Sequence, residues 1–364
     1  MAGKLGMTHV WLRAAILGIV AVLCLWASAQ AALQSPAPTH AGPSPDARGD
    51  ISLYGEVADR VARGEDYYSA VATLHRERVY PLRPFYVVRF PTLAWIASAV
   101  SARVLIAAAW LLLLGAIVVW VRRLKDRPPV ERFAALLLLT VTGAPLISDS
   151  SVQMHEFWCG LLLTIALGID GSRHRLWQLG VVTLALCLRE FAAAFLVAML
   201  ASALLERDRR GSLAIVGVLV AAAGMIAWHA AMVESVTTAA DLVSPGWNGL
   251  GGPILIARAL ATFSWLLVLP GWAVAILAFL PLLGWATLRR DAPLALLWFG
   301  GFAGVIGVLA RPDNLYWAVV LLPAYPLGLA FVPRFLAGLG SLRPRLRKPP
   351  HPRAASAPAG VSSR

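Results

Sequence analysis

Between Arg48 and Pro91 the chain reads R-G-D-I-S-L-Y-G-E-V-A-D-R-V-A-R-G-E-D-Y-Y and later Y-P-L-R-P-F-Y-V-V-R-F-P. It is the one long segment where carboxylates, arginines and tyrosines occur together in an otherwise apolar sequence, so chemistry is expected to begin here. Three further groups stand out. Arg189 and Glu190 interrupt apolar runs at membrane depth, where an ionisable group costs at least ~2.5 kcal/mol unless it is paired or faces a polar cavity. A mutual or interhelical ion pair would satisfy them. A guanidinium facing a cavity would equally suit phosphate or pyrophosphate, which its planar fork grips in a bidentate manner. Arg311, with Asp313, Asn314 and Tyr316, has the same two readings: a phosphate ligand, or a turn closed by a salt bridge. Asp149, His155 and Glu156 crowd one short loop. They could bind a divalent cation or orient a substrate, although H-E alone is a weak ligand pattern and helix capping explains it as well. Arg83 and Arg89, flanked by prolines, read as interfacial anchors, and Glu56 as a solvated helix charge.

The elements that must position these groups follow from composition. Of 364 residues 59% are hydrophobic and 14% charged, with a mean hydropathy of +0.71. Soluble domains carry roughly a quarter charged residues, so this is a polytopic membrane protein. The net charge of +13 sits in short clusters between apolar runs rather than along one stripe, which marks cytoplasmic loops and argues against a nucleic-acid partner. Cys24, Cys159 and Cys187 fall inside apolar runs and read as packing residues. Neither a disulfide framework nor a metal-ligand spacing is present in the sequence.

In order, Trp11 to Leu33 is a first span with the amino terminus inside, though A-S-A-Q-A-A within it also fits a signal-peptidase site. Residues 34–47 form a Pro/Ser/Ala linker. The outer loop 34–92 carries seven Arg and seven acids, a balance that suits the external side. Within it Tyr54, Val57, Ala58 and Val61 recur at helical spacing, predicting an amphipathic helix opened by Asp50 as N-cap and closed by Gly64. Further spans are expected within Leu93 to Val121, Phe133 to Ile147, Phe157 to Ile169, Leu176 to Leu188, Phe191 to Leu205, Leu213 to Ala230, Gly271 to Leu288, Pro293 to Leu309 and Leu315 to Val332. That makes about ten spans in an all-α transmembrane bundle over residues 1–335, followed by a basic, Pro-rich tail at 336–364. Every internal turn carries a basic cluster, placing both termini in the cytoplasm.

This layout resembles the GT-C membrane glycosyltransferases, which include protein mannosyltransferases, aminoarabinose transferases and bacterial polyprenyl-phosphate-dependent enzymes. The matching features are an outer loop opening with Asp50 and a Y-x-x-x-A helix (Tyr54, Ala58), G-E-D-Y-Y (Gly64 to Tyr68), and P-x-x-P-F-x-x-x-R-x-P (Pro81 to Pro91). A short hairpin with Arg189 and a late R-P-x-N-x-Y turn (Arg311 to Tyr316) complete them. The resemblance implies a general base among the first outer loop's acids, and outer-face Arg or His residues on the phosphate of a lipid-linked sugar donor. The loop differs from the family's paired acidic signature, since Ile51 follows Asp50, and the chain has no large periplasmic domain.

On that resemblance Asp50 is the expected catalytic base, Arg189 and Arg311 bind donor phosphate, and Asp149, His155 and Glu156 orient the acceptor. No metal site is expected as such, although a divalent cation could bind. The expected function is transfer of a sugar from a polyprenyl-phosphate carrier at the outer face of a bacterial-type inner membrane, with the lipid-linked donor and membrane lipids as partners. The alternatives are a lipid or solute transporter, whose charges would line a path through the bilayer, and a non-catalytic assembly subunit.

Overall fold

The computed structural model describes residues 2–33, 45–288 and 292–340. The expected linker at 34–44, the R-R-D turn at 289–291 and the tail from 341 lie outside the described residues. The fold is helical, and the described residues contain no strand beyond one isolated bridge, Arg83 to Val243. In chain order the helices are α1 (Ala2–Leu33), α2 (Pro45–Ala62), α3 (Tyr67–Glu77), α4 (Thr92–Ala99), α5 (Ala102–Arg123), α6 (Pro129–Gly143), α7 (His155–Gly168) and α8 (Gly171–Leu188). They continue as α9 (Ala192–Leu205), α10 (Arg209–Val236), α11 (Gly252–Thr262), α12 (Gly271–Leu277), α13 (Leu280–Trp285), α14 (Ala292–Leu309) and α15 (Val332–Gly340).

Among the described residues five helices are long and apolar enough to cross a membrane: Leu12–Gln30 within α1, α5, α6 with the turn after it, α10 and α14. A sixth crossing is made if the 3-10 segments Leu315–Leu321 and Tyr325–Phe331 continue into α15 as one span bent by 57°. The described residues thus contain five or six such helices where the apolar runs suggested about ten spans. The shorter apolar helices include α7 and α9, of 14 residues each, and several apolar runs are broken. Val100 and Ser101 adopt extended backbone and split the expected second span into α4 and α5. The stretch from Gly271 to Leu288 breaks at Phe279, ahead of Pro281. Pro323, between the late 3-10 segments, and Pro326, at the start of the second, remove two backbone donors.

The outward faces of α1, α5 and α10 carry exposed apolar side chains such as Leu25, Leu111, Leu114 and Val220. Their removal from water requires lipid, because large exposed apolar areas do not persist on soluble monomers. The core lies around α7, whose residues are almost all buried against α5, α8 and the Leu315–Leu321 segment. Gly160 allows this: a Cβ there would collide with the carbonyls of Val319 and Leu322. One end of the bundle is tied by ion pairs between helix ends and the turns beside them, Arg123 to Asp170 at 3.3 Å, Arg175 to Asp208 at 3.4 Å and Arg334 to Glu131 at 2.9 Å.

At the opposite end α2 and α3 form a cover with a core of its own, including Leu53, Val57, Tyr68, Val71 and Val233 of α10. Asp66 caps α3 by accepting from the Ser69 N–H at 3.0 Å, a contact worth about 1 kcal/mol. Gly64 ends α2 with φ +90°, as its place after the amphipathic run implied. Asp50 does not cap α2, however. The helix begins at Pro45, which puts Asp50 inside it, one turn before Tyr54.

Candidate functional site

Between the cover and the bundle lies a cavity of about 300 Å³. Its walls come from parts of the chain far apart in sequence: Tyr54 of α2, His75 of α3, Arg89 before α4, His155 at the start of α7, Arg189 between α8 and α9, and Arg311 after α14. Arg189 and Arg311 are positioned by turns. Arg189 donates its N–H to the Ala185 carbonyl at 2.9 Å and accepts from Ala192 N–H at 3.1 Å, so it occupies the tight turn linking two antiparallel helices. Arg311 sits in a turn whose Asn314 N–H donates to its carbonyl at 2.9 Å, while Asn314 Oδ1 accepts from its own N–H at 3.3 Å.

Two loops close the top. The N–H groups of Leu82 and Arg83 donate to the Leu242 carbonyl at 3.1 and 3.2 Å, and Ser244 N–H donates to the Arg83 carbonyl at 2.7 Å. Arg76 of α3 donates two hydrogen bonds to Asp241, at 2.7 and 2.8 Å. That contact, aided by Thr238, holds the Asp241 carboxyl well below the usual carboxylate range. The Tyr86 and Trp247 rings meet across the loops at 4.3 Å. His75 is buried beneath them with Nδ1 2.8 Å from the Pro81 carbonyl, and burial pushes its pKa down to about 4.

The three arginines of the wall differ in their commitments. Arg189 is 2% exposed; its Nε lies 2.7 Å from Glu156 Oε1, a second nitrogen is paired with Glu190, and the guanidinium lies 3.9 Å from the centre of the Phe191 ring. Arg311 is paired with Asp313 through contacts of 3.1 and 2.8 Å. Arg89 donates to the Tyr316 hydroxyl at 3.0 Å and, at 3.5 Å, to the Val87 carbonyl. Its Nε has no hydrogen-bond partner among the described residues, and Glu156 stands 3.9 Å away. The guanidinium also lies 5.9 Å from the centres of the Tyr54 and Tyr316 rings. Beside it His155, 3% exposed, meets Tyr54 edge-on with centroids 5.4 Å apart. The Phe90 backbone is near its ring, yet neither ring nitrogen makes a hydrogen bond of proper geometry among the described residues.

Arg189, Arg311 and His155 are therefore brought together on one wall. Glu156 does not line the cavity: it is 1% exposed and pairs with Arg189. Asp149 is exposed and takes no part in the wall. The side chain of Asp50 lies outside the described residues. Among the described residues no three His, Cys, Asp or Glu side chains could hold a metal ion together. Arg89 was read from the sequence as an interfacial anchor, but it is a cavity residue. The signal lay in V-V-R-F-P, a lone arginine in an apolar run, the pattern that drew attention to Arg189.

Apolar side chains, among them Leu53, Val57, Val71, Leu93 and Ala94, also line the cavity. Such a cavity suits a ligand with an anionic head and an apolar body. Compared with protein-family models, curated proteins and solved structures, the chain has no match.

Proposed function

We propose that this chain is a GT-C-like membrane glycosyltransferase that moves a sugar from a polyprenyl-phosphate-linked donor to an acceptor hydroxyl at the outer face of a bacterial-type inner membrane. The observation that carries the reading is the convergence of Arg89, Arg189 and Arg311 with His155 on one amphipathic cavity at one end of the bundle. A transporter would distribute its ionisable groups along a path between the two ends.

Depth supports the same reading. At 1.5 Å per residue, α7 and α9, of 14 residues each, rise about 21 Å from the ion-paired end. The hydrocarbon layer is about 30 Å thick, so the floor at His155 and Arg189 is recessed below the outer interface. The 28 residues of α10 rise about 42 Å and reach the cover. A lipid phosphate could meet the arginines there while its chain stays among apolar side chains. In this reading the shorter helices cross a locally thinned layer, the crossings number about ten, and both termini are cytoplasmic.

In the reaction Asp50 accepts the acceptor hydroxyl's proton as its oxygen attacks the anomeric carbon. The bond from that carbon to the phosphate oxygen breaks on the opposite face with inversion, and the arginine wall carries the charge of the departing lipid phosphate. Asp50→Asn tests this. Asn keeps the size but takes no proton, so the variant should accumulate in the membrane while transfer falls about 10²- to 10⁴-fold. Near-normal transfer by a well-expressed variant sinks the base assignment. Mass spectrometry of lipid-linked sugars in cells lacking the chain should show an accumulated donor that identifies sugar and carrier.

A further inference from the structure

The reading of the cavity as a lipid-phosphate site leaves open which guanidinium takes the phosphate and how many phosphate groups it takes. We propose that Arg89, with His155 beside it, is the docking point for a single phosphate group, and that Arg189 is a positioning residue that holds Glu156 and Glu190.

Among the described residues the polar wall balances three guanidiniums against Glu156, Glu190 and Asp313. Arg189 makes short contacts to two of these acids and is 2% exposed. A phosphate reaching it would have to displace both. Arg311 already spends its fork on Asp313. The Nε groups of Arg89 and Arg189 both lack a hydrogen bond of proper geometry among the described residues, but Arg189 Nε has Glu156 Oε1 at 2.7 Å whereas Arg89 has no carboxylate closer than 3.9 Å. A buried donor left unmade costs about 1–3 kcal/mol, so the arrangement is stable when an acceptor fills it. His155 adds two buried ring nitrogens without hydrogen bonds among the described residues, on the same wall. Two adjacent unfilled groups, one of them a permanent cation, match one phosphate and an oxygen attached to it. A diphosphate would bring further negative charge next to Glu156, Glu190 and Asp313 with no uncommitted cation to meet it.

The test uses the purified full-length chain and three probes of equal chain length: polyprenyl monophosphate, polyprenyl diphosphate and polyprenol. Wild type should bind the monophosphate at least tenfold more tightly than polyprenol and no less tightly than the diphosphate. Arg89→Gln should lower monophosphate affinity about 10- to 100-fold and leave polyprenol binding unchanged. Arg189→Gln with Glu156→Gln, which removes the buried pair together, should be more stable than Glu156→Gln alone, as expected of a residue that holds a carboxylate; a double variant as stable as wild type that loses as much monophosphate affinity as Arg89→Gln overturns the positioning role of Arg189. Where Arg89→Gln fails to accumulate, Arg89→Lys keeps the charge without the fork and should bind the monophosphate several-fold more weakly; unchanged affinity there overturns the role of Arg89. So does unchanged discrimination by a folded Arg89→Gln variant. A diphosphate bound more than tenfold more tightly overturns the single-phosphate assignment. Equal binding of monophosphate and polyprenol by wild type overturns the lipid-phosphate reading itself.

Discussion

Glu156 is the residue whose removal should be felt most in stability. It is 1% exposed, and its Oε1 lies 2.7 Å from Arg189 Nε and 3.9 Å from Arg89 Nε. Glu156→Gln keeps the volume and removes the charge, leaving two buried guanidiniums with only Glu190 close to one of them. Breaking a buried pair from one side costs about 3–5 kcal/mol, because the remaining charge stays desolvated. With an unfolding entropy of about 2.1 cal/mol/K per residue spread over 364 residues, that corresponds to a fall in Tm of about 4–7 °C. Thermal unfolding in detergent measures it. Arg189→Gln with Glu156→Gln removes both charges of the pair and should recover more than half of the loss. A Tm within 1 °C of wild type for the single variant would refute the idea that Glu156 is a charged counterion. A double variant no more stable than the single one would show that the loss comes from packing.

Two further outcomes follow from the same structure. Tags in the C-terminal tail and in the Arg122–Arg127 loop should report the cytoplasm and a tag near Thr39 the outside; an external tail overturns the orientation inferred from basic clusters. The folded pKa of His75, about 4, lies below its unfolded value, so the unfolded chain takes up the proton first as pH falls. The associated stability is therefore complete above about pH 6.5 and is lost progressively toward pH 4. His75→Gln should flatten the fall in Tm across that window, and an unchanged slope would remove His75 as its source.

The parts of this molecule that were legible in its sequence are those governed by local rules. Gly64 had to adopt positive φ after an amphipathic turn, the basic loops had to gather at one end, and Arg189 had to find partners once it stood between two apolar helices. Tertiary contacts decided what sequence reasoning missed. Nothing in S-D-S-S-V-Q-M-H-E distinguishes the exposed Asp149 from the buried Glu156, because the difference arises only when α7 packs against the Arg189 turn. The same holds for the expected N-cap at Asp50: Pro45, well suited to a first helical turn, starts the helix earlier. Fewer helices of full crossing length occur among the described residues than the apolar runs suggested, because hydropathy does not register where a helix stops: α7 and α9 hold 14 residues each, and the run from Gly271 breaks at Phe279.

Those breaks and the cavity belong to one arrangement. A bundle of uninterrupted spans would fill its cross-section to both interfaces and leave the arginines in the headgroup region, where water and salt would screen them. Shortening α7 and α9 lowers the floor, and lengthening α10 carries the cover above it. The cavity is lined both by Arg89 and Arg311 and by apolar side chains such as Leu53 and Val57. There a guanidinium acts in a lower dielectric, where its attraction for an anion is several-fold stronger than in water. The carboxylates keep that from being prohibitive without a ligand: the buried Glu156 and the more accessible Glu190 and Asp313 pair with Arg189 and Arg311, and the rings of Tyr54 and Tyr316 lie beside Arg89, which has no close carboxylate. Removing a carboxylate should therefore weaken the fold, whereas removing Arg89 should weaken ligand binding, and it is this separation of effects that distinguishes a built anion site from a buried salt-bridge network.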